Sequence, residues 1–134
     1  MVRPESFTGR EQTSTSVATV VQGGRFDCAH PCSVRYFFEV RRRRLSDPRP
    51  AVLAVDPRRL LIAVVEDQAL VIRQVFSGRE VVRLQRDWAP ADWLGDVIPA
   101  VRFDPDGRLS FTWLRGKERA PVSERVSVPS IPHP

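Results

Sequence analysis

Between Cys28 and Cys32 the chain reads CAHPC, two thiols and an imidazole within five positions. Such a group could ligate a metal, cycle between dithiol and disulfide, or supply a nucleophile beside a base. Each chemistry needs more than this stretch holds. A structural zinc site normally takes two ligand pairs, and the only other Cys or His is His133, in a proline-rich end. A disulfide closing so short a loop constrains the unfolded chain little, and a reducing compartment opposes it. Nucleophilic catalysis needs a base aimed at the thiol and a carboxylate aimed at the base, whereas strand or turn geometry sends sequence neighbours apart. His30 precedes Pro31, which favours extended backbone entering a turn. The stretch reads as a loop between two strands, with Cys28 and Cys32 as thiols that carry no function.

Other chemistry-bearing residues meet the same test. Asp87, Asp92 and Asp96 crowd the segment DWAPADWLGD, and two of them lie four apart, one helical turn. Acid–base pairs need burial to tune their pKa values, so these read as solvated charges on a short helix. Gly23 and Gly24 have no evident helix behind them to cradle phosphate. The expectation is a chain that is not an enzyme and holds no metal and no cofactor.

Two features remain that could bind rather than react. Arg41, Arg42, Arg43 and Arg44 form an unbroken basic run, close to Tyr36, Phe37 and Phe38, which could hold phosphates and stack bases. The net charge of +5 is concentrated there: residues 35–49 carry +4, while 87–134 carry −1. Only one of the 21 basic residues is a lysine, a bias that GC-rich coding produces without selection for binding. The plainer reading is a solvated edge that blocks sheet-to-sheet aggregation. Trp88 and Trp93, with Leu94 following, either plug the end of a β domain or form an interface patch of the kind tryptophan and arginine anchor.

The elements that must position these residues are strands. Apolar residues make up 42% of the chain, near the globular average, and 134 residues suffice for one domain with a real core. No stretch approaches a membrane span, the N-terminal stretch is unlike a secretory signal, and a cytoplasmic location is expected. TSVATVVQ is a first strand. In SVRYFFEVRR, Val34, Tyr36, Phe38 and Val40 alternate with Arg35, Glu39 and Arg41, which predicts that the aromatic set at Tyr36 and Phe38 faces the core. AVLAV, LLIAVVE, ALVIRQVF and EVVRLQR follow, separated by DPRR, DQ and SGR, a meander. APADWLGD predicts a short helix over 90–96, opened by Pro90 and stopped near Gly95. VRFDPDGRLSFTW predicts a hairpin turning at Pro105 and Gly107, with Leu109, Phe111 and Trp113 on one face. APVSERVSV supplies the last strand. The fold class expected is all-β, a small antiparallel sandwich or barrel of about eight or nine strands with one short helix. Residues 1–13 are expected to be a flexible lead-in, 14–128 the domain and 129–134 a Pro-rich tail.

VDPRRLLIAVVEDQALVIRQVFSGREVVRL and VRFDPDGRLSFTWLRGKERAPVSERVSV follow one plan: strand, Asp-Pro turn, strand, polar turn, strand. Their Asp-Pro pairs lie 48 residues apart, from Asp56 to Asp104. Residues 53–113 resemble blades of the WD-repeat β-propeller family, without its Gly-His and Trp-Asp pairs. A closed propeller needs at least four blades of about 40 residues, more than this chain holds.

Such a domain, patterned for a core and lacking a catalytic constellation, is expected to be a non-catalytic protein-binding module: an accessory subunit, adaptor or inhibitor-like partner of a larger bacterial protein. Trp88, Trp93, Leu94, Arg42 and Arg44 are the contact residues expected. The alternative is a nucleic-acid-binding β domain using Arg41 to Arg44. Self-association of blade-like sheets is a further expectation the pattern allows.

Overall fold

Turn chemistry between short apolar runs makes strand pairing local throughout this chain. The computed structural model describes residues 9–12, 17–22, 34–39 and 43–129. Over them the chain is all-β, its strands grouped in three antiparallel sheets. The first sheet orders β1 (Gly9–Gln12), β2 (Val17–Gln22), β3 (Val34–Glu39) and β4 (Arg44–Leu45), with β5 (Arg49–Pro50) also paired to β3. The second is a meander of β6 (Val52–Asp56), β7 (Leu61–Glu66), β8 (Ala69–Gln74) and β9 (Glu80–Leu84). The third runs β10 (Ala100–Phe103), β11 (Arg108–Arg115) and β12 (Ala120–Ser127). β1 lies within the stretch for which the sequence predicts a flexible lead-in.

The turns form where the sequence places them. Asp67 and Gln68 both take positive φ, 46° and 62°, the conformation that a two-residue hairpin between β7 and β8 demands. At the β10–β11 hairpin Gly107 has φ 90° and donates its N–H to the Asp104 carbonyl at 3.0 Å, so Pro105 and Gly107 act as expected.

Burial of the second sheet on both faces explains its unbroken apolar runs. Leu61, Ala63, Leu70 and Ile72 turn to one side and join a core with Leu109, Phe111 and Trp113 of the third sheet. Ile62, Val64, Ala69 and Val71 turn to the other and pack with Phe37 of the first sheet and Val75. Strand residues alternate faces, so a sheet covered on both sides must be apolar at successive positions.

Arginine side chains fasten the layers. Arg59, paired with Asp56 at 2.8 Å, also donates to the Gly107 carbonyl at 2.9 Å, tying the Asp-Pro turn of the second sheet to that of the third. Arg49 donates Nε and Nη2 to the Val75 carbonyl at 3.0 and 2.7 Å, tying the first sheet to the second. Arg86 grips Glu124 with two hydrogen bonds of 2.8 and 2.9 Å, and the Trp113 indole N–H donates to the same carboxylate at 2.6 Å.

Two expectations are corrected. On β3 the buried residues are Phe37 and Glu39, while Tyr36 and Phe38 are half-buried on the opposite face. The cause is a paired charge: Glu39 binds Arg44 Nε at 2.6 Å, and that guanidinium lies 4.2 Å from the Phe76 ring centroid, so a carboxylate can face inward. The helix expected over 90–96 is a single 3-10 turn at Leu94–Val97. Backbone before it is committed elsewhere, since Trp88 bridges Arg115 and the Ala89 N–H donates to the Leu114 carbonyl at 2.8 Å.

Ile72→Ala, at a site with no exposure, is expected to cost about 2–5 kcal/mol, read as a lower urea midpoint at unchanged slope. Glu124 carries a pH signature. Its carboxyl is held below the ordinary range by the Arg86 hydrogen bond, opposed by burial and aided by the Trp113 indole. A depressed folded pKa contributes stability that is complete above the unfolded value of about 4.3 and is lost as pH falls through the folded one. Glu124→Gln should therefore destabilise at pH 7, and the difference from wild type should shrink in urea melts repeated at pH 3.

Candidate protein-binding surface

The apolar residues of the second sheet are buried on both sides, and the outward faces of the first and third sheets carry exposed side chains. On the first sheet the strand alternation that sends Phe37 and Glu39 inward leaves Tyr36 and Phe38 outward. The register sets Phe38 opposite Leu45. Leu45 is 41% exposed, the one large hydrophobic so exposed among the described residues. Its outward position follows from its neighbours: Arg44 turns in to Glu39, and Ser46, buried, receives the Phe37 N–H on its Oγ at 3.0 Å. β2 lies along the other side of β3, with Ala18 opposite Phe38 and Val20 opposite Tyr36. Arg43 stands exposed at the rim in a left-handed turn conformation, φ 50°.

The expected contact residues fall into different places. Arg41 and Arg42 lie outside the described residues. Arg44 is spent internally, on Glu39 and Phe76, which leaves Arg43 as the member of the run whose described side chain faces solvent. Leu94 is 4% exposed and belongs to the core between the second and third sheets. Trp88, half-buried, stacks edge-on against Trp113 at 5.2 Å between centroids and donates its indole N–H to the Gln68 carbonyl at 2.8 Å. It is an internal stitch between sheets. Trp93 is half-buried with its ring laid over Gly95, where a Cβ would sit 2.4 Å from ring atoms. The segment 87–98 thus spends Trp88 and Leu94 on packing, and Trp93 alone of its three expected contacts keeps a partly open ring away from that core.

Leu45 was not singled out by sequence reasoning. The signal was present in the pairing of Glu39 with an arginine five residues on, which reverses the faces of both strands. Cys28, His30 and Cys32 lie outside the described residues. Among the described residues, no group of three or more His, Cys, Asp or Glu side chains could hold a metal ion.

No protein-family model matches this chain, and neither a curated protein nor a solved structure matches it.

Placement inside or outside the core separates these residues in stability measurements. Trp88→Phe, which removes the solvent-exposed hydrogen bond to the Gln68 carbonyl and thins the ring contact with Trp113, should cost about 0.5–1.5 kcal/mol. Leu45→Ala should stay within about 0.5 kcal/mol of wild type in the same urea titration.

Proposed function

We propose that this chain is a non-catalytic protein-binding module, an adaptor or accessory subunit of a larger partner, docking through the outer face of its first sheet. The observation that carries the reading is the exposed Leu45, set opposite the half-buried Phe38 in the β3–β4 register on the same face as Tyr36. The surrounding charge indicates the partner's chemistry. Arg43 stands exposed at the rim, so the complementary surface is an apolar patch with an acidic group set to meet that side chain. A cytoplasmic site of action belongs to the same proposal; among the described residues no helix is long and apolar enough to cross a membrane.

The WD-repeat resemblance enters as part of the proposal. In its favour, the two compared stretches both fold as strand, Asp-Pro turn, strand, polar turn, strand, in the second and third sheets. Nucleic-acid binding by Arg41 to Arg44 is the weaker reading, since Arg44 spends its Nε on Glu39 and lays its guanidinium over Phe76.

The test is capture from nuclease-treated host extract by tagged wild type and by Leu45→Arg, with stability of both checked first. A stoichiometric protein held by wild type in moderate salt and lost by at least tenfold with Leu45→Arg, about 1.4 kcal/mol or more, is the expected result. Equal capture by both proteins would sink the proposed surface. Recovery of proteins only while nucleic acid is intact would replace the reading with the nucleic-acid one.

A further inference from the structure

The outer face of the third sheet is built from different chemistry. Its register aligns Arg102 of β10, Ser110 of β11 and Arg125 of β12 in one row across the three strands. The next row sets Thr112 opposite Ser123, with their hydroxyl oxygens 3.0 Å apart. Both rows line an open cleft of about 710 Å³ that runs to Leu53 and Ile98, within the size range of small-ligand sites.

Asp104, which lines the neighbouring cleft at the Asp-Pro turns, gathers the two guanidinium groups. Arg102 Nε meets one of its carboxylate oxygens at 3.0 Å, and Arg125 Nε lies 3.3 Å from the other. Ser110 donates its hydroxyl to Asp104 and accepts from Arg125 Nε at 3.3 Å. The Asp104 side chain is only 8% exposed, while those of Arg102 and Arg125 are 73% and 52% exposed. Hydrogen bonding from Ser110, and then the two arginines, hold the Asp104 carboxyl below its ordinary range, so the anchor stays ionised at neutral pH.

This differs from an ordinary surface ion pair in two ways. One carboxylate serves two cations, so the cluster keeps a positive charge. Both arginines engage it through Nε, and their terminal Nη groups have no hydrogen-bond partner among the described residues. Strands about 4.8 Å apart place the two backbones some 10 Å from each other, yet the shared anchor draws the guanidinium groups together. Two oriented forks with hydroxyls alongside suit a tetrahedral oxyanion, which accepts paired N–H and O–H bonds at once.

We propose that Arg102 and Arg125, positioned by Asp104 and Ser110 and flanked by Thr112 and Ser123, form a clamp for one phosphate group, free or as a phosphoester. A long polyanion fits less well. Phe111, the aromatic side chain that lines the cleft, is 2% exposed and offers no ring face for base stacking, and residues 87–134 sum to −1. The clamp lies on a different sheet from Leu45, so it stands or falls independently of the protein-docking surface.

The test titrates full-length protein with inorganic phosphate at constant ionic strength, following the arginine Nε–Hε signals by NMR. A serine-phosphorylated peptide, its unphosphorylated form and a single-stranded oligonucleotide form three further arms. Saturable shifts of the Arg102 and Arg125 signals are expected, with affinity falling about tenfold or more in Arg102→Gln and in Arg125→Gln. Preference for the phosphopeptide over inorganic phosphate would identify a peptide-borne phosphoester as the source; equal affinity would identify the free anion. Shifts that never saturate, or that survive both substitutions, overturn the clamp. Oligonucleotide binding that is much tighter than phosphate and falls steeply with salt would overturn the single-phosphate assignment in favour of a polyanion surface. Thr112→Val keeps both arginines and serves as the fold-preserving control. It should weaken phosphate by less than either arginine substitution, and a larger loss would also count against the clamp.

Discussion

The constraint on which this structure depends is that the central strands of its second sheet are apolar on both faces. Ile62, Val64 and Val71 on one side and Leu61, Leu70 and Ile72 on the other are all buried, so the sheet is stable only between two others. Each buried branched side chain contributes on the order of 1.5–3 kcal/mol relative to exposure, before the entropy of ordering is set against it. The outer sheets therefore supply the apolar lids: Phe37 from the first, and Leu109, Phe111 and Trp113 from the third. With those lids in place, the outward faces of the first and third sheets carry the candidate surfaces, at the two ends of the stack.

Layers held by apolar contact alone can slide, because dispersion and the hydrophobic effect have little directionality. The arginines supply direction. Arg49 and Arg59 reach across sheet boundaries to backbone carbonyls, and a guanidinium fork on a fixed carbonyl or carboxylate specifies distance and angle together. Several of these forks meet polar atoms at turns, where backbone groups lack sheet partners and a donor removes an unmet acceptor. Much of the arginine richness of this sequence is therefore structural, and charge counting over the chain overstates the positive surface left for ligands.

The sequence made the strand class legible because turn residues are local. Asp67-Gln68, Pro105 and Gly107 state where the chain reverses without reference to anything distant. The face of β3 was not legible. Alternation favoured Tyr36 and Phe38 for the core, and only the pairing of Glu39 with Arg44, under the ring of Phe76, makes Phe37 the buried aromatic. That depends on three separate strands or turns meeting in space. The segment 87–98 is shorter in its helix than its signals for a related reason: Pro90, Asp92 and Gly95 are sound helix signals, but main-chain bonds from Trp88 and Ala89 to β11 claim the backbone first, and one 3-10 turn forms at Leu94–Val97. The Arg102–Asp104–Arg125 cluster was invisible because its members are 23 residues apart end to end and become neighbours only through the register of β10, β11 and β12.

The unlike chemistry of the two end faces limits how copies of this module can associate. Stacking one copy on the next head-to-tail would set Leu45, Phe38 and Tyr36 against Arg102, Arg125 and their hydroxyls. That contact would strip water from guanidinium groups whose terminal nitrogens have no described protein acceptor, a desolvation cost that apolar side chains cannot offset. Open-ended growth by the repeat of the sheet stack is thereby disfavoured, although each sheet resembles its neighbour in plan. A two-fold contact between first sheets would place apolar against apolar, with the exposed Arg43 of each copy at its rim. A partner with an acidic group facing Arg43 satisfies both the apolar and the electrostatic requirement at once, which is the physical ground for the proposal that this face meets another protein.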